Sequence, residues 1–385
     1  MTRTHRPAGR FPGRGAVCLR AAGFLAAAAA LLASSTCSPH GAWDLLAMRA
    51  LALFPQYGRV MSLTLDNTGQ NEDLADFPLL VTLTPERFQY AAAAPGGSDL
   101  RFVSADGDAT LPHEIEQWNQ SGTSWVWVQV ARVPGAGTLE IELLYDGPEG
   151  GVPEAPAELW KDYELVYHLH GYPVSDSSPN GNHGAPSATP TLVAGKVGPG
   201  FPTSDSPKQY IDTGYGLGPG QNLTAGWTVE AWVYGNADPH DTGDPNLSSG
   251  PVMGDRNYNL GWDHDDPSLL NSVHCADATK YRGAKLGNLG GGSWHYVVGV
   301  YDGEVPLLSA YANGNLVTAN PDVEYPLLDK VATTHIGTSE NHNLVLDGIV
   351  DEVRISAKVR SADWLRAQYL SMTDAFITYG PTLTR

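Results

Sequence analysis

The chain has 385 residues, enough for roughly two or three domains. Forty-three glycines, 28 prolines and only 17% charged residues describe a turn-rich all-β protein and exclude a helical bundle. A formal net charge of −19 argues against nucleic acid and anionic lipid as partners.

Residues 1–37 read as a signal peptide. Arg3, Arg6, Arg10, Arg14 and Arg20 precede the apolar run 21–33, and small residues follow it. The run is too short for a transmembrane helix. Two exits are open. Cleavage can follow Ser35, or Cys37 can be the lipid acceptor of a bacterial lipoprotein, for which Ser34-Ser35-Thr36-Cys37 is a loose match. Both readings export the chain to the cell envelope or beyond, and the second makes it an outer-membrane lipoprotein held only by the lipid on Cys37. Losing 1–37 removes five arginines and no acid, so the remainder is more acidic still. Only Cys275 then stays, and no intramolecular disulfide is expected with Cys37 lipidated.

Residues 38–57 read as a tether with one short helix over 43–54. From Arg59 the period of two begins. Strands are predicted at 59–66, 77–84, 100–104, 111–118, 124–130 and 138–145, separated by turn clusters such as Asp66-Asn67-Thr68-Gly69 and Asp106-Gly107-Asp108. That spacing predicts a β-sandwich over 58–147. The strings LDNTGQNEDLADFPLLVTL, GSDLRFVSADGDATLPHEIEQWN, WVWVQV and LLYDG resemble the bacterial domain of unknown function family 2341, found in exported proteins beside lectin-like domains. The resemblance implies no activity.

The Gly-, Pro- and Glu-rich stretch 148–158 reads as a linker. A second domain over 159–380 follows, with strands predicted at 163–170, 209–212, 227–234, 293–301, 307–313 and 344–356. An Asn313-Gly314 hairpin turn leads into 315–318, and weaker strands lie within 273–285. A helix over 360–372 is capped by Ser361 and carries Leu365, Tyr369 and Met372 on its apolar stripe. The turn-rich loop 176–184 (Asp176, Ser177, then SPNGNHG), YIDTG, WTVEAWVY, SWHYVVGVYDG, YANGNLV, HIGTS and LDGIVDEVRIS together resemble the laminin-G-like domain of the concanavalin A-like lectin and glucanase fold. The resemblance implies a jelly roll of two antiparallel sheets whose first and last strands meet.

In the last strand, alternation puts Ile349, Asp351, Val353 and Ile355 on an apolar face and Val350, Glu352, Arg354 and Ser356 on a wetter one. A carboxylate on the apolar face needs a partner. Asp176, Asn180 and Asn182 offer hard oxygens in the loop after the first strand, and with Asp351 they form a candidate structural calcium site; the alternative is that they shape the turn and that Asp351 accepts backbone N–H groups. His168 and His170 share a strand face, but spacing places no third zinc ligand. Glu114 and Glu116 also share a face. No Glu-x-Asp-x-x-Glu string is present for glycoside hydrolysis, and Asp351 and Glu352 are adjacent and so point apart. Within NYNLGWDHDD and just before it, Arg256, Tyr258, Trp262, Asp263, His264 and Asp265 are the loop residues suited to stacking on and orienting a sugar. The sequence therefore reads as a non-enzymatic exported surface protein that binds a glycan or a surface protein through the second domain. A scaffold module without a sugar site is the alternative, and a glycoside hydrolase is less favoured.

Overall fold

Most of the period-two segments form strands, and the two sandwiches they build share a buried face. In this computed structural model the described residues are 41–216, 226–235, 251–254, 258–262, 269–274, 281–287, 289, 291–321, 323, 333–339, 342 and 345–385. The first sandwich packs a three-strand sheet (Leu74–Leu83, Ser124–Val133, His113–Gln117) on a five-strand sheet. The latter runs Ile377–Thr384, Arg59–Asp66, Thr138–Tyr145, Arg101–Ser104, Thr110–Leu111. Its outermost strand is the last strand of the chain, antiparallel to Arg59–Asp66 with Leu63 opposite Tyr379. Residues 377–380, assigned from sequence to the second domain, thus help to close the first.

Two connecting segments are more firmly packed than their composition implies. The helix Gly41–Leu53 buries Ala47, Ala50 and Leu51 against Val60, Val103 and Leu144 of the five-strand sheet. The linker stretch is fastened as well: Ile115 N donates to Glu154 Oε2 at 2.7 Å and Ala155 N to His113 O at 2.9 Å. Leu159 and Trp160, just beyond it, are buried.

The second sandwich is the expected all-β jelly roll. One sheet has nine strands among the described residues, with Gly226–Gly235 between Gly348–Ser356 and Trp294–Asp302 at its centre. The first strand, Leu165–Tyr167, pairs with the last through Leu165 opposite Ile355. The facing sheet has seven strands, including Tyr258–Trp262, His335–Ile336 and Ile211–Asp212. Between the sheets lie Trp227, Val229, Phe201, Tyr258, Ile336, Val350 and Val353. Asn313 and Gly314 both have positive φ (50° and 73°), as a type I′ hairpin turn requires.

The other face of the nine-strand sheet is not free. Trp232, Tyr296, Val298, Val300 and Tyr311 project from it into the apolar cluster that holds Phe77, Leu79 and Trp127 of the first sandwich and Trp364 and Leu365 of the helix Ala362–Met372. Ser361 caps that helix through Trp364 N. The helix then ties the two sandwiches: Asp363 accepts from Asn71 N and Glu72 N, and Ser371 Oγ from Leu80 N at 2.8 Å. An apolar interface of this kind holds two sandwiches in one arrangement.

The closing strand departs from simple alternation. Glu230 faces Arg354 and Trp232 faces Asp351, so Glu352 and Val353 together stand opposite Ala231. This is a β-bulge, with Glu352 at φ 51°. For a non-glycine residue that conformation costs about 1–2 kcal/mol. The extra residue exchanges the faces beyond it. Val350, Val353 and Ile355 enter the inner core, while Asp351 and Arg354 point the other way. The face read as wetter is dry: Glu352 and Arg354 are 1% and 0% exposed.

Candidate functional site

The bulge delivers Glu352 and Arg354 to the face that the first sandwich covers, and a buried polar cluster forms there. The strand His113–Gln117 supplies Glu114 and Glu116, alternate residues on one face, with a register irregularity between Ile115 and Gln117. His168, just past the first jelly-roll strand, stands between them and Glu352. His168 Nδ1 lies 2.7 Å from Glu352 Oε1 and 3.6 Å from Glu116 Oε2, and its Nε2 lies 3.3 Å from Glu114 Oε2. Trp127 Nε1 donates to Glu116 Oε2 at 2.8 Å, Trp160 Nε1 to Glu114 Oε2 at 2.6 Å, and Ser177 Oγ to Glu114 Oε1 at 2.7 Å. Arg354 hydrogen-bonds Glu352 and lies 3.7 Å from Glu230, whose other oxygen accepts from the Tyr296 hydroxyl. The Arg354 guanidinium sits 4.4 Å from the Trp127 ring centre and 5.1 Å from that of Trp160, a cation–π pairing strengthened by the burial of Arg354.

The electrostatics sort these acids into two kinds. Burial alone would raise the Glu352 pKa, but His168 and Arg354 overcome it and hold the group at about 2. Glu114 is also held low, by His168 and by its two other donors, Ser177 and Trp160, against the cost of burial. Glu116 goes the other way: burial and the Glu352 charge push it well up, so it keeps its proton. The carboxylates raise His168 far above its ordinary range against the cost of burial. His168 and Arg354 are therefore the cations, with Glu352 and Glu114 as their counter-ions.

This arrangement is closed to substrates. The side chains of Glu116, His168 and Glu352 are 0–1% exposed, and His168, Arg354 and the indole N–H groups already hold one oxygen or more of each acid. A glycosidase places two carboxyls across a cleft that admits a sugar ring; these four acids meet across a sealed seam. The cluster spans the seam between the sandwiches: Glu114 and Glu116 of the first meet His168 of the second, and Arg354 lies over Trp127.

The residues singled out in the sequence fall in three places. Asp176, Asn180 and Asn182 do share one loop. Asp176 accepts from Val166 N, Ser178 N, Ser178 Oγ and Asn182 N at 2.8–2.9 Å. Asn180 and Asn182 turn their amide N–H groups toward Tyr163 O and Glu164 O. Asp351 is not joined to them. It points toward another turn, where Lys196 N and Val197 N donate to its Oδ2 at 2.7 and 2.8 Å, and Glu352 N donates to its Oδ1 at 2.9 Å. Burial, then Glu352, raises the Asp351 pKa well above the usual range despite these donors. Asp351 thus ties the last strand to residues 195–197, not to the loop after the first strand.

Gly195 shows how close that tie is. A Cβ there would stand 2.6 Å from Asp351 Oδ2 and 2.9 Å from Gly200 N. Gly195→Ala is expected to push the turn off the carboxylate and cost about 1–3 kcal/mol, read as a lowered midpoint in urea with an unchanged m value. Unchanged stability would show that the turn is not held by Asp351.

The third place is the predicted sugar-binding loop. Arg256, Asp263, His264 and Asp265 lie outside the described residues, and of Trp262 only the backbone is described. Tyr258–Trp262 is a strand, not a loop. Tyr258 is 1% exposed, its ring 5.4 Å from that of Trp227 and its hydroxyl 3.2 Å from Thr334 Oγ1. It is a core residue, placed there because Asn259 takes the outward position of the alternation.

The meeting of Glu114 and Glu116 with His168 is not predicted by the sequence pattern. Its trace is present there: both strands put ionisable residues at alternate positions among apolar and aromatic neighbours, which marks a second buried face.

Comparison with known families agrees with the two-part organisation. Residues 208–366 match the concanavalin A-like lectin/glucanases superfamily, and residues 96–151 match the Domain of unknown function (DUF2341). No curated protein matches the chain. Among solved structures, the binding domain of botulinum neurotoxin DC in complex with rat synaptotagmin II is similar, at 11% identity and TM-score 0.42, over 55% of this chain and 52% of that one. Domain 4 of AbnA, a GH43 extracellular arabinanase from Geobacillus stearothermophilus, in complex with arabinotriose, is similar at 15% identity and TM-score 0.42, over 53% and 97%. The chain thus spans about half the length of the toxin binding domain it matches.

Proposed function

We propose that this is an exported, non-enzymatic surface protein that recognises a glycan or a surface protein through the seven-strand sheet of its jelly roll. One observation carries the reading. The outer face of the nine-strand sheet is buried under the first sandwich, and its ionisable groups are sealed there. The seven-strand sheet instead has polar and aromatic groups on its outer side: Tyr210, Asp212 and His335, with His342 beside them. Stacking rings with a few orienting polar groups are what a sugar site needs. The superfamily match supports a binding role, and the basic-then-apolar start of the chain supports export.

A glycan array probed with the purified chain, with and without calcium, tests this. Binding of a glycan class that weakens at least tenfold in Tyr210→Ala is the expected result. No binding to any glycan, with a surface protein captured by the same face, favours the protein-ligand form. Turnover of a polysaccharide that is lost on substitution of acidic residues overturns the non-enzymatic reading.

A further inference from the structure

Asp212 and His335 face each other across paired strands. Their neighbours Ile211 and Ile336 are fully buried in the core, so alternation sends both polar side chains to the outer side of the sheet. Asp212 Oδ1 lies 2.6 Å from His335 Nδ1, with the Asp212 side chain 39% exposed. His342 approaches from a turn closed by its own N–H on Ser339 O at 2.8 Å. Its ring stands 5.0 Å from that of His335, nearly perpendicular at 84°. Tyr210 stacks on the other side of His342 at 4.3 Å and 14°, and Lys208 Nζ donates to His342 O. One ligand atom from each of Asp212, His335 and His342 lies within 4.8 Å of the other two.

Several features separate this group from an ordinary surface cluster. Its residues are two imidazoles and one carboxylate, a set suited to a borderline transition ion and too poor in oxygen for calcium. His342 Nδ1 is enclosed and has no hydrogen-bond partner, a deficit that a bound ion would remove. Two ligands sit on paired strands, and the third is braced by an aromatic ring, so little order is left to impose. A water would complete a tetrahedral shell, with metal–nitrogen distances of about 2.0–2.1 Å. Taking an ion requires Asp212 and His335, now 2.6 Å apart, to separate slightly and His342 to close on them; the Asp212 side chain, 39% exposed, has room to move. The other triad among the described residues, Glu116, His168 and Glu352, differs: there Arg354 and Trp127 Nε1 already hold the carboxylates.

We infer that Asp212, His335 and His342 form a binding site for a zinc-class divalent cation on the outer side of the seven-strand sheet. The ion takes the place of the hydrogen bond between Asp212 and His335, and because protons compete for the same ligand atoms, uptake weakens as pH falls. The site stands whether or not the sheet also binds a glycan.

The test uses the full chain, without an affinity tag and stripped by a chelator, titrated with zinc against a competing chromophoric chelator. Expected are one zinc per chain, a melting transition raised by zinc but not by calcium, and cobalt(II) visible bands of a four-coordinate nitrogen and oxygen site. His342→Ala and Asp212→Asn should each weaken zinc by about tenfold or more while the metal-free chain keeps a single cooperative melting transition. His342→Ala removes the ring stacked on Tyr210, whereas Asp212→Asn is close to isosteric, so the two guard against misfolding of either. The inference is overturned if the wild-type chain takes up no zinc at micromolar concentration, or if uptake is undiminished in both variants.

Discussion

Arg354→Met is expected to cost about 3–5 kcal/mol of stability, because it strands buried acids and not because it empties a volume. The guanidinium is fully buried, bound to Glu352, 3.7 Å from Glu230, and flanked by Trp127 and Trp160. Met fills much of the same space, so the packing loss is small. Glu352 then keeps only His168 as a cation. A buried charge that has lost its partner costs far more than the pair contributed in the first place. Denaturant unfolding followed by tryptophan fluorescence reads the effect directly, since two indoles border the site. The double variant Arg354→Met with Glu352→Gln removes the stranded charge and should recover a large part of the loss. A single-variant loss under about 1 kcal/mol, or no recovery in the double variant, would show that Arg354 acts by packing alone.

The same residues show where sequence is a sufficient guide and where it is not. Strands with clean alternation, such as Thr138–Tyr145 and Gly226–Gly235, lie within about a residue of their predicted bounds. The Ser361 cap and the Asn313-Gly314 turn are legible because each is decided by contacts a few residues apart. Alternation alone reverses the faces of the closing strand beyond the bulge, because one inserted residue leaves the local pattern intact and changes only the register with a distant partner. Glu114 lies 54 residues from His168, and His168 lies 184 from Glu352. Nothing local tells such residues that they will meet. The last strand is hidden for a similar reason: Ile377–Thr384 contains Gly380 and Pro381, and only its pairing with Arg59–Asp66 makes it a strand.

Glu142→Gln is expected to stabilise the protein, and the gain should depend on pH. Glu142 lies on the same side of its strand as Leu144, the side that the helix Gly41–Leu53 covers, and it is fully buried. Both its oxygens are 2.9 Å from Ser62 Oγ, whose single hydrogen can serve only one of them. Among the described residues no cation pairs with it. Burial, opposed by Ser62 and aided by the charge of Glu140, therefore pushes its pKa from 4.5 up to about 8. The sign follows from proton counts. Below pH 4.5 the folded and unfolded chains both hold the proton, and stability is unaffected. Between 4.5 and about 8 only the folded chain holds it, so each rise in pH favours unfolding, by at most about 1.4 kcal/mol per unit. Above 8 both forms have lost it, and the penalty is constant. Glutamine cannot ionise, yet it still offers an acceptor to Ser62. The variant should match the wild type near pH 4, exceed it increasingly from pH 5 to 8, and level off beyond. The plateau should lie between about 1 kcal/mol and the linkage ceiling of about 5 kcal/mol. Other raised acids, Glu116 and Asp351 among them, tilt both profiles alike and cancel in the difference. A difference that is flat across this range, or that grows toward acid, would mean that Glu142 is ionised in the fold and that a counter-charge holds it there.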